Sequence, residues 1–369
     1  MIPAAVTPSP EAAETSPRAW VDVKPDAVVA NAKRIAAIAG ARLMPMVKAN
    51  GYGLGAVPIV RALEALDPWG YGVATVEEGA ELRAVGIRRP VVVFTPLIAP
   101  WLPGMVRYDL RPVIGDVGTL DTWLGAAATR PFHVGVDTGM ARAGVPFDDG
   151  AALAALRERL AGTAGYEGVC THFHSADADL ASISAQHERF RSAIAALGPR
   201  PPLVHMANSA AALRGPAFAG DLIRPGIFLY GGSAGAAAAV PQPVAALRAV
   251  VVSVRGIGVQ SSVSYGATWR AAEPTRIATV AIGYADGVPR SLGNSGLVEI
   301  GGERRPIRGR VTMDMTMVEV DDSIRVGDIA TLFGGRITLD DQAALAGTIS
   351  YELLTSLGNR VTRRYGAGS

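Results

Sequence analysis

Eight short apolar runs, separated by longer segments of helical character, constrain this chain more than any other feature. They fall at residues 43–47, 71–74, 91–94, 110–114, 132–136, 168–173, 203–206 and 222–230. Between them, stretches such as "AVPIVRALEAL", "TVEEGAELRAVG", "DVGTLDTWLGAAA", "GAALAALRERLAG" and "ISAQHERFRSAIAALG" repeat apolar residues mostly at helical spacing. Strands that alternate with helices lie parallel, and eight such units predict an α/β fold, a closed (β/α)8 TIM barrel. An open, doubly wound sheet is the rival. No G-x-G-x-x-G turn follows the first run, which counts against it.

The texture changes after "GGSAGAAAAVPQP", which has the composition of a linker. "LRAVVVSVRGIG", "TRIATVAIGYADG", "GLVEIGGERRPIRGRV", "MTMVEVDD" and "VGDIATLFGG" are β-branched runs broken by glycine and charged turns. The chain therefore divides into a leader over residues 1–19, rich in Ala, Pro, Ser, Thr and Glu and expected to be disordered, a barrel over 20–242 and a mainly β domain over 243–369.

At 49% hydrophobic and 18% charged residues the chain buries a large core. A net charge of +2 with no basic run gives neither nucleic acid nor an anionic membrane a surface to bind. No apolar stretch reaches the roughly 18 residues of a membrane span, and the amino terminus lacks the pattern of a signal peptide, so a cytoplasmic location is expected. The single cysteine, Cys170, rules out an intramolecular disulfide and an all-cysteine metal site.

In a (β/α)8 barrel the carboxyl ends of the strands form one bowl, and polar residues there have no packing role. The first run ends at Lys48 in "LMPMVKANGYGLG", with Tyr52 close behind. The fifth ends in "VDTGMAR", with Asp137 and Arg142, and the sixth in "THFHSAD", with His172 and Asp177. The seventh gives His205, Asn208 and Ser209 in "HMANSA", and the eighth Arg224 and Gly226 in "IRPGIFLYG". Asn208 and Ser209 before an alanine-rich segment also fit a helix cap. The two histidines of "THFH" share a strand face, but no third metal ligand accompanies them, and no metal site is expected. A lysine at a strand end, with phosphate-friendly turns after the last two strands, points to a Schiff-base enzyme with pyridoxal phosphate as the leading cofactor.

From residue 20 to residue 365 the chain resembles alanine racemase, a pyridoxal-phosphate enzyme of fold type III. The resemblance rests on "VKANGYGLG", "VDTGMARAGV", "THFHSAD", "HMANSAA", "RPGIFLYG", "SYGATW", "IGYADGVPRSL", "GRVTMDMTMVEV", "SYELLTSLGNRV" and "RRY", in that order. It implies that Lys48 forms the Schiff base with the cofactor and serves as base on the D face. Tyr265 would be the base on the L face, delivered by the partner subunit of a homodimer. Arg224 would face the pyridine nitrogen, with His172 packed on the cofactor. Tyr52, Ser209, Gly226, Ile227 and Tyr351 would grip the phosphate, with Asn208 beside them. Arg142 would meet the substrate carboxylate; Met313, Asp314 and Tyr284, with Asp286, would shape the substrate entrance. The implied reaction interconverts L- and D-alanine, for cell-wall D-alanine biosynthesis or a more specialised pathway.

The chain departs from the family pattern at Gly135, where a lysine, often carbamylated, usually braces the arginine matched by Arg142. Chloride, His133 or His174 is expected to take over that bracing. His174 itself stands where a small residue is usual, and the two departures keep a racemase of serine or another small amino acid open. A fold III decarboxylase would need a cysteine in the second domain, and a non-catalytic pyridoxal-phosphate carrier would lack that domain; neither fits.

Overall fold

The computed structural model describes residues 16–235 and 239–366. Residues 1–15, most of the expected leader, lie outside the described residues. Among the described residues two units emerge: one comprises Val23–Ala245 with Ile349–Thr355 and residues 365–366, the other residues 16–22 with Ala246–Thr348 and Ser356–Arg364.

After a first strand, β1 (Ala19–Val23), come β2 (Arg42–Leu43), β3 (Tyr71–Val73), β4 (Val91–Val93), β5 (Arg111–Ile114), β6 (Phe132–Asp137), β7 (Val145–Pro146), β8 (Tyr166–Cys170), β9 (Leu203–His205) and β10 (Leu222–Ile223). The first unit is built on a sheet of order β2-β10-β9-β8-β6-β5-β4-β3, all parallel, with β7 added beside β6. It closes on itself through a parallel bridge between Met46 and Gly72, where the Val47 amide donates to the Gly72 carbonyl at 2.9 Å. Each expected run contributes one barrel strand. The eighth is the shortest relative to expectation, because Pro225 and Gly226 end the strand and 227–230 winds into a 3-10 turn, Ile227–Tyr230. Met44, Val92, Leu203 and Leu222 pack together inside, with Trp69, Phe94 and Val113 against them. Asp116, Asp149 and Asp179 each cap a barrel helix by accepting from a backbone amide, worth about 1 kcal/mol apiece.

The second unit holds β11 (Ala245–Ile257), β12 (Ser262–Val263), β13 (Trp269–Arg270), β14 (Thr275–Val280), β15 (Leu297–Ile300), β16 (Glu303–Pro306), β17 (Thr316–Val320), β18 (Ile329–Phe333) and β19 (Thr362–Tyr365). Its sheet runs β16-β15-β18-β11-β1-β19, with β14 and β17 continuing from β11. β1 therefore does not open the barrel, as boundaries at 20 and 242 had it, but joins this sheet. Nor does the leader extend through residue 19: Val250 donates to the Arg18 carbonyl and Ala19 starts the strand. Conversely, the helix Ser350–Thr355, counted with the β domain from sequence, packs in the barrel unit, with Leu353 and Leu354 buried. No helix among the described residues is long and apolar enough to cross a membrane.

Candidate active site

The turn after β2 is the most strained backbone in the barrel. Ala49, Asn50, Gly51, Tyr52 and Gly53 all have positive φ, between 52° and 81°, and make one left-handed turn directly after Lys48. For L-residues this conformation costs roughly 1–2 kcal/mol each, less for asparagine and nothing for glycine. Neighbours hold it in place. The Glu78 carboxylate accepts from the amides of Ala49 at 2.6 Å and Ala74 at 2.7 Å, and the Asn50 side chain accepts from the Ala56 amide at 2.9 Å. Gly53 is required twice over, since a Cβ there would sit 2.1 Å from the Leu354 carbonyl oxygen. Strain of this kind clusters where a side chain must be aimed, and here it aims Lys48.

Lys48, Tyr52, Arg142, His172, Asn208, Ser209, Arg224, Gly226, Ile227 and Tyr351 together line a cavity of about 590 Å³ at the strand ends. That is the size of a small-molecule site. Burial pulls the Lys48 amine below its ordinary range, and the cations of Arg142 and Arg224 add to this while Glu78 opposes it. His172 is pushed down to about 3 by burial and by Arg224, Arg142 and Lys48, so its ring is neutral and its Nδ1 accepts from Arg224 at 3.4 Å.

Arg224 is 4% exposed and donates to the carbonyls of Thr171 at 2.7 Å and Met206 at 3.1 Å, and to His205 Nδ1 at 2.9 Å. Its Nε–H and one Nη1–H find no acceptor among the described residues, so this buried cation has donors to spare toward a ligand. At the other end of the cavity Ser209 Oγ accepts from the amide of Gly226 at 2.8 Å. Asn208 caps the short helix Ser209–Ala212 through the Ala211 amide and donates to the Phe173 carbonyl, as the helix-cap alternative expects. Tyr52 stacks on Tyr230 with ring centroids 4.4 Å apart, and its hydroxyl, 6% exposed as a residue, makes no hydrogen bond among the described residues. A Cβ on Gly226 would come within 2.1 Å of that oxygen. An orphan hydroxyl, a glycine cradle and an adjacent helix start fit a phosphate.

Arg142 is carried by a loop that Asp137 ties together, accepting from the Gly139 and Met140 amides at 2.8 Å each. Burial raises the Asp137 carboxyl, but the amides of residues 139–142 outweigh it and hold the group below its usual range. The Arg142 side chain makes no ion pair or hydrogen bond among the described residues. Neither histidine expected to brace it does so: His133 is buried between His205 and Glu167, and His174 turns to Ser175 and Ser182. Beside Gly135 a second cavity of about 470 Å³ reaches Arg142, His172 and Arg224.

The remaining expected residues lie in the β-rich unit. Tyr265 sits on the turn Tyr265–Ala267, 73% exposed, between left-handed Ser264 and Gly266; Ser264 Oγ donates to the Arg310 carbonyl. Tyr284 and Met313 come from neighbouring turns laced by Tyr284 and Ala285 amides donating to the carbonyls of Thr312 and Met313. Asp286, fully buried, accepts from Arg18 and Arg360, and Arg360 also binds Asp314 at 2.8 Å.

Sequence reasoning missed Glu78, Asn50, Arg18 and Arg360. Only Glu78 left a signal, since "TVEE" is a capping box and Thr75 and Glu78 form one.

The profile of the N-terminal domain of alanine racemase matches residues 23–234, and that of its C-terminal domain matches residues 244–365. The chain belongs to the alanine racemase family. It is 41% identical to the alanine racemase of Acidiphilium cryptum (strain JF-5) over 353 residues, covering 92% of this chain and 97% of that one. Alanine racemase from D-cycloserine producing Streptomyces lavendulae superimposes with a TM-score of 0.88 at 34% identity, over 96% of this chain and 99% of that chain. The alanine racemase of Bartonella henselae, solved with covalently bound pyridoxal phosphate, gives a TM-score of 0.88 at 30% identity, over 95% of this chain and 100% of the other.

Proposed function

We propose that this protein is a pyridoxal-phosphate-dependent racemase interconverting L- and D-alanine. It acts as a cytoplasmic homodimer in which Lys48 of one chain works opposite Tyr265 of the other. The observation that carries the reading is the cavity itself. An amine of lowered basicity, a buried arginine with donors to spare and an orphan tyrosine hydroxyl converge there, at strand ends of a family barrel.

When bound, pyridoxal phosphate supplies a conjugated system that withdraws electrons from the substrate Cα. Lys48 would hold it covalently through Nζ; with that bond displaced by the substrate's own amine, the freed Nζ would take or return the Cα proton, and its lowered pKa keeps the amine unprotonated at moderate pH. Arg224 would donate a hydrogen bond to the ring nitrogen, and a permanent cation there would keep that nitrogen unprotonated. The Tyr52 and Ser209 hydroxyls and the Ile227 amide would hold the phosphate, with Gly226 and Tyr351 alongside. Arg142, whose guanidinium has no partner among the described residues, takes the substrate carboxylate. Tyr265 moves the second proton at its phenolic oxygen, on the face opposite Lys48, which is what inversion at one carbon requires. Tyr284, Met313 and Asp314 complete the entrance, their turns fixed by the pairs of Arg360 with Asp286 and Asp314.

A second substrate reading keeps a specific observation behind it. The cavity beside Gly135 gives side chains larger than methyl, such as serine's, room next to Arg142.

Mixing chains tests the shared site. Lys48→Ala and Tyr265→Phe chains are each expected to lack racemase activity, and refolding them together should restore about a quarter of it, since half the dimers are hybrids with one intact site of two. If mixing restores nothing while each variant still dimerises, Tyr265 does not serve the partner's site.

A further inference from the structure

A line of hydrogen bonds leaves Arg224 and crosses the barrel interior to its opposite mouth. Arg224 Nη1 meets His205 Nδ1 at 2.9 Å, His205 Nε2 meets His133 Nδ1 at 2.7 Å, and His133 Nε2 meets Glu167 Oε2 at 3.1 Å. Glu167 in turn accepts from Arg111 Nε at 2.6 Å. Arg224 follows β10 and His205 ends β9, at the cavity side. His133, Glu167 and Arg111 stand at the first or second residue of β6, β8 and β5, at the far end. Both imidazoles are fully buried, edged by Trp69 and Phe94, while Arg111 and Glu167 reach solvent at 14% and 22% exposure.

The proton positions follow from donor chemistry. A guanidinium only donates, so His205 Nδ1 accepts and its proton sits on Nε2. That Nε2–H donates to His133 Nδ1, which places the His133 proton on Nε2, facing Glu167. A carboxylate only accepts, so the far end imposes the same order independently. With neutral rings, no other arrangement gives each contact one donor and one acceptor. A hydrogen on His133 Nδ1 would push the His205 proton to Nδ1, where it would face an arginine N–H.

We propose that Glu167 is a positioning residue that acts on Arg224 from across the barrel. By fixing the tautomers of His133 and His205 it keeps an acceptor in front of Arg224 and so holds the guanidinium in one orientation. This rests on the role given to Arg224 under the proposed function. The tautomer lock itself needs no cofactor and no activity to be observed.

The test is side-chain nitrogen-15 NMR of the cofactor-loaded protein, whose five histidines are few enough to assign by single substitutions. The expected result is the Nε2–H pattern for His133 and His205, unchanged from pH 6 to 9. In Glu167→Leu, which has no acceptor, at least one of the two rings loses that pattern. Its kcat falls roughly 3- to 30-fold with KM within twofold, the range of coupling through a packed network. Glu167→Gln keeps an acceptor oxygen, and is expected to retain the pattern and most of the turnover. An Nδ1–H tautomer at either histidine of the unaltered protein overturns the lock, as does Glu167→Leu with both rings unchanged. Shifted rings with kcat within twofold overturn the action on Arg224. If Glu167→Leu does not fold, the unaltered protein and Glu167→Gln decide: loss of the pattern or of turnover in the glutamine variant contradicts the proposal. An unaltered protein with the expected tautomers but no racemase activity sinks the functional reading alone.

Discussion

Unfolding this protein in mild acid takes up protons, and the buried histidines are their destination. His133, His205 and His172 are all held below the ordinary imidazole range, His172 to about 3. Burial is the largest cause in each case, and the Arg224 cation adds to all three. A histidine whose folded pKa is depressed stabilises the fold above its unfolded value of about 6.5 and loses that contribution as pH falls below it. A ring that stays neutral through this window, as His172 does, costs about 1.4 kcal/mol of stability per pH unit, and the three together up to about 4, a large part of a typical 5–15 kcal/mol. Asp137 and Glu167, held below the usual carboxylate range, act only below about pH 4.5 and leave the window clear. Urea unfolding followed in a pH-stat is the assay. Uptake at pH 5.5 should exceed uptake at pH 7.5 by between about one and two and a half protons per chain, with a fraction more from half-buried His187, also lowered. His172→Gln should reduce that excess by about one. An excess below one proton would refute the claim that these rings are buried and neutral.

Other perturbations act on single features. Gly53→Ala drives a Cβ into the Leu354 carbonyl at a φ of +81°, and is expected to cost about 2–3 kcal/mol and to weaken cofactor retention, read by thermal unfolding and by dialysis. Glu78→Gln removes the anion that raises the Lys48 pKa, so cofactor loading should persist to lower pH than in the unaltered chain; an unchanged pH dependence would contradict the coupling. Asp286→Asn breaks two ion pairs to half-exposed arginines, an expected loss of about 1–3 kcal/mol, visible as a lowered Tm.

The barrel was legible because each strand carries its own apolar run and the helices between keep their period. The strand ends were equally plain: Lys48, Arg142, His172, Ser209 and Arg224 stand where runs stop, and the fold brings them to one cavity. What the sequence hid is long-range pairing. Arg18 looks like part of a polar leader until Asp286 is placed beside it, and "SYELLT" follows β-domain residues yet packs with Gly53. The left-handed turn was half visible. Glycines 51, 53 and 55 announce a turn, but nothing local says that Ala49 and Tyr52 adopt the same hand, because Glu78 and Asn50 impose it from outside. Bracing of Arg142 by His133 failed for a related reason. A histidine two residues from Gly135 points to the same side of its strand, but lies a layer deeper, where Glu167 and His205 claim both its nitrogens.

The most direct test of the racemase reading is hydrogen exchange at Cα. The purified protein, supplied with pyridoxal phosphate in deuterium oxide and a panel of L-amino acids, is followed by NMR together with assay of the D-enantiomer. The account predicts that L-alanine incorporates deuterium fastest and accumulates as D-alanine, and that Lys48→Ala abolishes both. Faster exchange of serine or another amino acid would move the substrate assignment to the cavity beside Gly135. A cofactor bound at Lys48 with no exchange of any substrate would contradict the account.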